Sequence, residues 1–411
     1  MTTTDAGADA AGTTGGPEFD PFSDVFFNDP YPTYRRLRDE APVYHNEKYG
    51  FYALSRHEDV AEAYKSHEVF SSTRGVDLSM MTSDDPVPPL IIMMDPPEHN
   101  RMRVLVSRVF TPRAVGALEP MVREVVTSFF DRALAQDGKS FDVVHDFSAL
   151  FPVEIITRML GVPEEHRQNI RIWLDKSLHR EPGQIGISED GMAAAIESGL
   201  VYYNLIVEKR QNPGDDMISR LIAAEIERED GTTTQLDDVE IAGFASLLGG
   251  AGAETVTKLV GNAAVLFADN PDQWQMVLDD PARIPAAVEE ILRFHPPAQY
   301  VGRFTLSDVE LHGTTIPAAS PVLLINGSAS RDERAYDEPD RFDITRDQGQ
   351  NIGFGYGIHS CLGAALARME SRIALELMRE RMPRFEVDRD GLRRVNMTNV
   401  AGFSHVPVTL A

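Results

Sequence analysis

Hydrophobic residues recur three and four positions apart through most of the chain, a spacing that predicts a mainly helical protein. The clearest helix is predicted over residues 238–269. Asp237 can cap its first turn, with Glu240 three residues later as in a capping box. Asn270 and Pro271 then end it. The middle of this segment is apolar on nearly every side, so we expect the helix to be buried across the protein interior.

The same spacing predicts further helices, whereas strands are predicted only as short pieces. Helices are predicted over 32–39 and 360–381, helical periodicity dominates from 98 to 294, and strands are predicted over 49–54, 309–311 and 322–325. Residues 72–94 break the periodicity and predict a long loop, which in a compact chain is usually functional or disordered. We find no internal repeat and no low-complexity linker. Residues 21–411 are therefore predicted to form one domain, behind a disordered tail, 1–20, that is rich in Thr, Ala and Gly.

The charge balance narrows the possible partners. The chain has 64 Asp and Glu against 39 Lys and Arg, a formal net charge of −25. Nucleic acid and anionic membrane surfaces attract cationic proteins, so neither is expected as a partner. Residues 1–20 lack Lys, Arg and the apolar stretch of a secretory signal, and no run reaches the roughly 18 apolar residues of a membrane-spanning helix. We therefore expect a cytoplasmic monomer without a membrane anchor.

The single cysteine, Cys361, is the most informative residue of the chain. It excludes an intramolecular disulfide, an all-cysteine iron–sulfur cluster and a multi-cysteine zinc site. Gly353, Gly355 and Gly357 precede it in a loop that can take positive φ angles, and a helix is predicted to begin near the thiol. Main-chain N–H groups and a helix N-terminus would stabilise a thiolate, either as a metal ligand or as a nucleophile. A lone cysteine is otherwise most often an inert, buried side chain.

The residues around this cysteine, F-G-Y-G-I-H-S-C-L-G at 354–363, resemble the haem-binding signature of the cytochromes P450, the haem-thiolate monooxygenases. Three further segments resemble the same family. The first is the E-x-x-R motif of Glu290 and Arg293. The resemblance implies that Arg341, in P-D-R-F at 339–342, completes a buried network with these two residues. The second is A-G-A-E-T at 251–255, in the middle of the long predicted helix. The third is D-P-P-E-H-N-R-M-R at 95–103, with H-P-P at 295–297 and Arg303 further along.

This resemblance covers nearly the whole chain after residue 20. It implies a mainly α fold with small β-sheets and one haem b (iron protoporphyrin IX) between the long central helix and the helix that follows the Cys loop. Cys361 would be the ligand of the haem iron. The other implied haem contacts, the first four facing the two propionates, are His99, Arg103, Arg303, His359, Phe354, Gly355, Gly363 and Ala251. Thr255 would hydrogen-bond dioxygen, and Glu254 would connect it to protons from solvent. The small residues around them, Gly249, Gly250 and Gly252, would let the flat macrocycle approach the helix.

The implied activity is insertion of one oxygen atom from O2 into a hydrophobic small molecule, by hydroxylation or epoxidation of a terpenoid, steroid, fatty acid or polyketide-like substrate. The chain has no nucleotide-binding fingerprint, so its electrons would come from a separate ferredoxin and ferredoxin reductase. A peroxide-driven haem peroxygenase and a non-catalytic haem-thiolate ligand-binding protein are the alternatives. The Glu254–Thr255 pair argues against both, since the resemblance gives that pair a role in proton delivery.

Two surfaces are expected for these partners. Basic segments could steer an acidic ferredoxin to dock beside Cys361, unless nearby acids neutralise them: Arg101, Arg103, Arg108 and Arg113 before the cysteine, and Arg368, Arg372, Arg379, Arg381 and Arg384 after it. Substrate contacts are expected from 72–94, 187–203, 247–251, 298–302 and 400–403. Met80, Met81, Met93 and Met94 could line an adaptable apolar pocket or simply pack in the core.

Overall fold

The computed structural model describes residues 16–83, 86–107, 110–137, 139–227 and 231–411, and helices dominate these ranges. The α-helices are α1 (Asp24–Asn28), α2 (Tyr31–Glu40), α3 (His57–Lys65), α4 (Leu78–Met81), α5 (Glu98–Ser107), α6 (Pro112–Ala117), α7 (Glu119–Asp137), α8 (Phe151–Leu160), α9 (Glu164–Leu178), α10 (Glu189–Gln211), α11 (Met217–Ala223), α12 (Asp238–Asp269), α13 (Pro271–Asp279), α14 (Ile284–Phe294), α15 (Asn326–Ala329) and α16 (Ala364–Arg381). The mainly α fold predicted from the sequence is confirmed. No helix in the described ranges is both long and apolar enough to cross a membrane.

The strands are short and form small sheets. They are β1 (Val43–Asn46), β2 (Phe51–Leu54), β3 (Phe70–Ser71), β4 (Ser140–Asp142), β5 (Glu225–Glu227), β6 (Thr233–Gln235), β7 (Val301–Thr305), β8 (Val309–Leu311), β9 (Thr314–Ile316), β10 (Pro321–Leu324), β11 (Phe385–Val387), β12 (Arg393–Arg394), β13 (Phe403–His405) and β14 (Pro407–Leu410). One sheet has five strands in the order β1-β2-β10-β7-β3, with β10 parallel to β2 and the other pairs antiparallel. β7 therefore lies inside this sheet, between β10 and β3.

Helix α12 is the centre of the main core, and its predicted bounds are confirmed. Asp237 accepts a hydrogen bond from the main-chain N–H of Glu240, whose side chain accepts one from the N–H of Asp237. Residues 256–267 are all buried, and α12 packs against α8, α10, α14 and α16. A helix of this length spans about 48 Å. Side chains at its middle can therefore reach a site in the protein interior.

Some predicted boundaries are corrected. Residues 1–15 lie outside the described ranges, but Phe19 is buried among the rings of Phe26, Tyr34 and Phe51, so the packed chain begins before residue 21. The predicted loop 72–94 contains the short helix α4 and a 3-10 turn at Ile91–Met93; residues 84 and 85 lie outside the described ranges. The helix after the cysteine begins at Ala364 and not at residue 360. A 3-10 turn, Gly357–His359, and then four non-helical residues, 360–363, precede it.

Candidate active site

The loop before Cys361 takes its shape from glycines. Gly355 and Gly357 have φ angles of +68° and +69°, a left-handed conformation that glycine adopts without strain. A Cβ atom on Gly357 would also collide with the carbonyl oxygen of Tyr64 on α3. The N–H of Cys361 donates to the carbonyl oxygen of Phe354 at 2.8 Å, which closes the loop. Two of the three glycines thus have the positive φ angles expected from the sequence, whereas Gly353 instead makes room for Leu292, which a Cβ atom there would meet.

The thiol of Cys361 is accessible and yet enclosed by protein. The sulfur therefore faces a space that is itself enclosed by protein. Burial raises the pKa of the Cys361 thiol, whereas a hydrogen bond from the N–H of Gly363 and the charges of Arg103 and Arg368 lower that pKa. Gly363 is the N-cap of α16, so the N–H that donates to the sulfur belongs to the N-terminus of this helix.

Two arginines from distant segments are placed near the cysteine loop. Arg103 on α5 donates to the carbonyl oxygen of Ser360 at 2.7 Å. Arg303 on β7 is 2% exposed and donates to the carbonyl oxygen of Gly302 at 2.8 Å. Burial lowers the pKa of both guanidinium groups. Within the described ranges neither arginine forms an ion pair, and the acid that acts on Arg303, Asp95, does so without direct contact.

Two histidines complete the group. The rings of His99 on α5 and His359 in the cysteine loop lie 4.3 Å apart, and the Ser72 hydroxyl is 3.2 Å from His359 Nε2. Burial, with help from Arg303 and His99, lowers the pKa of His359 to about 2. Burial also lowers the pKa of His99. Both rings are therefore neutral hydrogen-bonding groups near pH 7, and Nε2 of His99 is buried without a partner.

These residues fit the expected haem. Its two carboxylates need cations and hydrogen-bond donors, and Arg103, Arg303, His99 and His359 supply them, since none of the four forms an ion pair with another described residue. The unpaired Nε2 of His99 is the kind of buried polar atom that a further group must satisfy. Cys361 would supply the iron ligand.

On α12 the predicted oxygen-binding segment is partly open. Ala251 is exposed and Thr255 half-buried, although both lie in the middle of a buried helix. The Thr255 hydroxyl donates to the carbonyl oxygen of Ala251 at 3.0 Å. These two residues, one turn apart, therefore present one accessible face of α12.

The glycines around this face do not serve the role that the sequence suggested. A Cβ on Gly249 would collide with the Tyr202 hydroxyl, one on Gly250 would meet Leu174, and one on Gly252 would meet Ile156. The room at these glycines is filled by side chains of α10, α9 and α8. The expectation that all these small residues admit the macrocycle is therefore corrected, and Ala251 is the small residue whose surface is open.

Glu254 is also placed differently from the expectation. It is buried, and its Oε2 lies 2.9 Å from Nζ of Lys258, with both side chains at most 4% exposed. Asp175 on α9 hydrogen-bonds Glu254, and its own side chain is 40% exposed. Burial of the carboxyl group and the charge of Glu254 raise the pKa of Asp175 to about 7, against the opposing effects of Lys258 and Arg171. Glu254 itself is thus buried, and its connection to the protein surface is the contact with Asp175.

The E-x-x-R network is present, but its third member is not the expected one. Glu290 and Arg293 are fully buried and joined by bonds of 2.7 and 2.8 Å. Arg341, expected to complete the network, pairs with Glu338 near the surface. Arg346 takes that place instead, with Nε 3.4 Å from Glu290 Oε1. The network stabilises the core beside the cysteine loop and has no chemical step of its own.

The comparisons with known proteins agree with this geometry. A family model described as Cytochrome P450 matches residues 200–406. The putative cytochrome P450 123 of Mycobacterium tuberculosis is 43% identical over 401 residues, covering 96% of this chain and 98% of that protein. The erythromycin C-12 hydroxylase of Saccharopolyspora erythraea is 38% identical and covers 90% of this chain and 92% of its own length.

The solved structures give the same result. The crystal structure of CYP109E1 from Bacillus megaterium in complex with testosterone has a TM-score of 0.84 at 32% identity, covering 93% of this chain and 97% of that chain. The chain belongs to the cytochrome P450 family. The resemblance seen in the sequence is confirmed, as are the P450 fold, the haem b cofactor with its cysteine thiolate ligand, and the assignment as a monooxygenase enzyme.

Three of the segments expected to contact substrate come together in this P450. The N–H of Gly302 donates to the carbonyl oxygen of Val76, and Ala298 forms an isolated β-bridge with Val400. Segment 187–203 divides: Tyr202 packs toward α12, whereas other apolar side chains of this stretch are exposed. Met81 and Met93 are buried, and Met81 packs in the aromatic cluster beneath the sheet, which is the simpler of the two roles considered.

Several site residues were missed by sequence reasoning. Lys258 had a visible signal, since a Lys four residues after a Glu in an apolar helix segment predicts a pair. Asp175, Ser72 and Arg346 had none, because their partners lie far away along the chain.

Proposed function

We propose that this P450 hydroxylates or epoxidises a large, mostly apolar small molecule such as a terpenoid, steroid, fatty acid or polyketide-like compound. The observation that carries the proposal is the accessible face of α12 at Ala251 and Thr255, beside the buried acid Glu254. A relative that acts on erythromycin and a structural neighbour that holds testosterone support the size and character of the substrate.

The cysteine side of the site would hold the cofactor. When bound, haem supplies the activation of O2 and the transfer of one oxygen atom to the substrate. Cys361 would supply the thiolate ligand of the iron, and the Gly363 N–H that donates to its sulfur favours the negative charge there, against the burial that raises the thiol pKa. Arg103, Arg303 and the two histidine rings would orient the carboxylates by hydrogen bonds. No carboxylate of the described chain forms an ion pair with either arginine, so both are free for that task.

On the α12 side, the chain's own groups can hold and move protons. Thr255 carries a hydroxyl that now donates to the Ala251 carbonyl oxygen and can rotate toward a ligand. Glu254 is the neighbouring acid, and its hydrogen bond to Asp175 links it to a side chain that reaches the surface. We infer a proton route from solvent through Asp175 and Glu254 to the accessible face around Thr255.

Electrons would be delivered by a ferredoxin and its reductase. The basic residues after the cysteine are largely neutralised: Arg372 pairs with Glu119 and Glu376, Arg368 with Glu289, and Arg381 with Asp131. Arg108 lies outside the described ranges. Arg113 and Arg384 are exposed and form no ion pair with any described residue, but Arg384 lies beyond the far end of α16, about 27 Å of helix away from the cysteine loop, so Arg113 is the better candidate for contact with an acidic partner.

The assay is turnover of the haem-loaded protein, after a substrate library scored by the haem spin-state shift has supplied a ligand. With NADH, ferredoxin, ferredoxin reductase and O2, we expect product in proportion to NADH consumed. Peroxide without reductant should give little product; the reverse result would indicate a peroxygenase. Neither product nor a spin-state shift with any compound would contradict the proposal.

Matched variants separate the individual roles. Thr255→Ala should lower the product formed per NADH, while Thr255→Ser, which keeps the hydroxyl, should retain it. Cys361→Ser should abolish the red-shifted Soret band of the reduced carbon monoxide complex. Arg113→Glu should slow reduction by ferredoxin and weaken its salt dependence, whereas Lys48→Glu, a charge reversal at a side chain 66% exposed on another surface, should not.

A further inference from the structure

The outer face of α10 carries a line of apolar side chains that nothing in the described chain covers. Met192, Ile196, Leu200, Tyr203 and Val207 are between 41% and 56% exposed. They are half of the ten large hydrophobic residues exposed in the described ranges. Steps of three and four residues place them on one side of the helix. The opposite side, which includes Ala194 and Leu205, is buried in the core, so the exposed line is not the packing face of α10.

The size of this face is unusual for a protein that acts alone. From Met192 to Val207 the line is about 22 Å long. The exposed surface of these five large side chains, about half of each, adds up to roughly 400–500 Å². This is the range in which an apolar patch commonly has a function. Two such faces would bury on the order of 1,000 Å² together, the lower limit for a specific but weak protein contact.

The residues of this face are complementary to those of a second α10 helix that runs antiparallel to the first. Glu189 precedes the apolar line by one turn and Arg210 follows it by one turn, both on the same side of the helix. In an antiparallel pair of α10 helices, Glu189 of one copy would meet Arg210 of the other. The same register sets Met192 opposite Val207, and Ile196 opposite Tyr203.

The centre of the face fits the same arrangement. Gly199 and Leu200 lie at the midpoint of the line, and in this register each Gly199 faces Leu200 of the other helix. A Cβ atom on Gly199 would meet no atom within 4 Å, so the space above it is open. Leu200, 49% exposed, is the side chain that would fill it.

The charges at the ends support this pairing. Arg210 donates Nε to Asp238 at 2.5 Å and Nη2 to the carbonyl oxygen of Leu236 at 3.1 Å, which leaves Nη1 for a further acceptor. Glu189 is exposed at the first turn of α10. The two oppositely charged residues would flank the apolar line at both ends of an antiparallel pair.

A lipid surface is a poorer occupant of this face. Amphipathic helices that lie on membranes carry Lys and Arg along their polar side. The exposed residues beside this line instead include Asp190, Glu197 and Glu208, in a chain of net charge −25. Anionic membranes would repel them.

We propose that two copies of this P450 associate through the outer faces of α10, antiparallel, with a two-fold axis at Gly199 and Leu200. Such an interface is isologous, since the same patch serves both copies, and it closes after two subunits. The dimer is weak and depends on concentration, which replaces the monomer expected from the sequence. The proposal does not depend on the substrate or on the electron donor.

Sedimentation velocity of the haem-loaded protein tests the association, at about 1 to 300 µM, a range that brackets a micromolar Kd. We expect the average sedimentation coefficient to rise with concentration, and Leu200→Glu to keep it at the monomer value. Leu306→Glu is the matched control, because Leu306 is 55% exposed outside α10. A wild-type protein that stays monomeric throughout, or equal behaviour of the two variants, would overturn the proposal. So would flotation of the wild type, but not Leu200→Glu, with phosphatidylglycerol vesicles.

Cross-linking tests the orientation. Ile196→Cys and Tyr203→Cys are prepared as two separate proteins, each with a normal carbon monoxide spectrum, and are oxidised alone and as a mixture. Antiparallel packing predicts a disulfide-linked dimer only in the mixture. Parallel packing would instead link each variant to itself and contradict the proposed register. The wild-type protein, with Cys361 as its one thiol, controls for reaction at that residue.

Discussion

Replacing Arg293 with Met removes the cation from a carboxylate that has no access to water. Glu290 and Arg293 are 0% exposed, and the guanidinium donates Nε and Nη2 to the carboxylate at 2.7 and 2.8 Å. Its Nη1 also donates to the carbonyl oxygens of Ser330 and Pro339, at 2.8 and 3.0 Å. Met has a similar length and no charge, so the substitution removes the ion pair and these bonds while keeping much of the packing.

The size of the expected loss of unfolding free energy follows from the complete burial of the pair. Removing one partner of a buried ion pair costs about 3–5 kcal/mol of unfolding free energy. The carboxyl group can limit this loss by taking up a proton. At pH 7, about 2.7 pH units above the ordinary pKa of a Glu side chain, that protonation costs about 3.7 kcal/mol. Carbonyl oxygens left without a donor add roughly 1–3 kcal/mol. We expect a total near 5 kcal/mol at pH 7.

The destabilisation caused by Arg293→Met should become smaller as the pH falls. In the variant, the folded protein binds a proton that the unfolded chain has lost at pH 7, so the deficit shrinks as the pH falls toward 4.3, by up to about 1.4 kcal/mol per pH unit. In the wild type Arg293 and three other donors hold the carboxylate of Glu290: the Asp343 N–H, the Gln348 amide and Arg346.

Urea unfolding of the haem-loaded proteins, followed by tryptophan fluorescence at pH 7.0 and 5.5, measures both effects. Because the slope exceeds the roughly 1–3 kcal/mol/M of small proteins, we expect a midpoint lowered by on the order of 1 M at pH 7.0. The gap should be clearly smaller at pH 5.5. The double variant Glu290→Gln/Arg293→Met removes both charges of the buried pair and leaves Arg346 with its main-chain carbonyl acceptors, so it should recover a large part of the loss. Equal deficits for the single and double variants at both pH values would refute the reasoning.

Three further predictions concern residues whose surroundings only the structure shows. Burial raises the pKa of Glu370 far above its usual range, so the folded protein keeps a proton that the unfolded chain releases as the pH rises above about 4.3. Glu370→Gln should therefore exceed the wild-type Tm by more at pH 8 than at pH 5, and a difference that does not change with pH would show that the carboxyl is paired. Asp175→Asn should flatten the pH–rate profile of product formation around pH 7, where the wild-type carboxyl titrates, and an unaltered profile would remove Asp175 from the proton route. Gly249→Ala should lower the unfolding free energy by about 1–3 kcal/mol, because the new Cβ atom would collide with the Tyr202 hydroxyl. Adding Tyr202→Phe removes that hydroxyl and should restore most of the loss. If it restores none, another contact is responsible.

The glycines of the chain show where local pattern is a sufficient guide. Gly355 and Gly357 were predicted to shape the loop before Cys361, and both have positive φ. The loop conformation depends mainly on these residues themselves, so the sequence contains the needed information. Gly249 and Gly250 were given a role toward the macrocycle, but they accommodate Tyr202 and Leu174 instead. What fills the space above a helical glycine depends on which helix packs there, and that is a long-range property.

Buried charges show the same division. The spacing of Glu290 and Arg293, and that of Glu254 and Lys258, places each pair on one helix face, so such contacts can be expected from the sequence. The choice of Arg346 over Arg341, and the contact of Asp175 with Glu254, join segments that are far apart along the chain. A desolvated carboxylate takes whichever partner the packing brings within reach.

The sequence by itself determined what neighbouring residues can determine: the bounds and capping of α12, the position of Cys361 after its glycines, and through the motifs the family and the haem. The tertiary structure decided which donors gather opposite that cysteine, how Glu254 reaches the surface, and which face of α10 stays uncovered. Caps, turns and helix periodicity act over a few residues, whereas burial and electrostatic pairing depend on segments that meet only when the chain has folded.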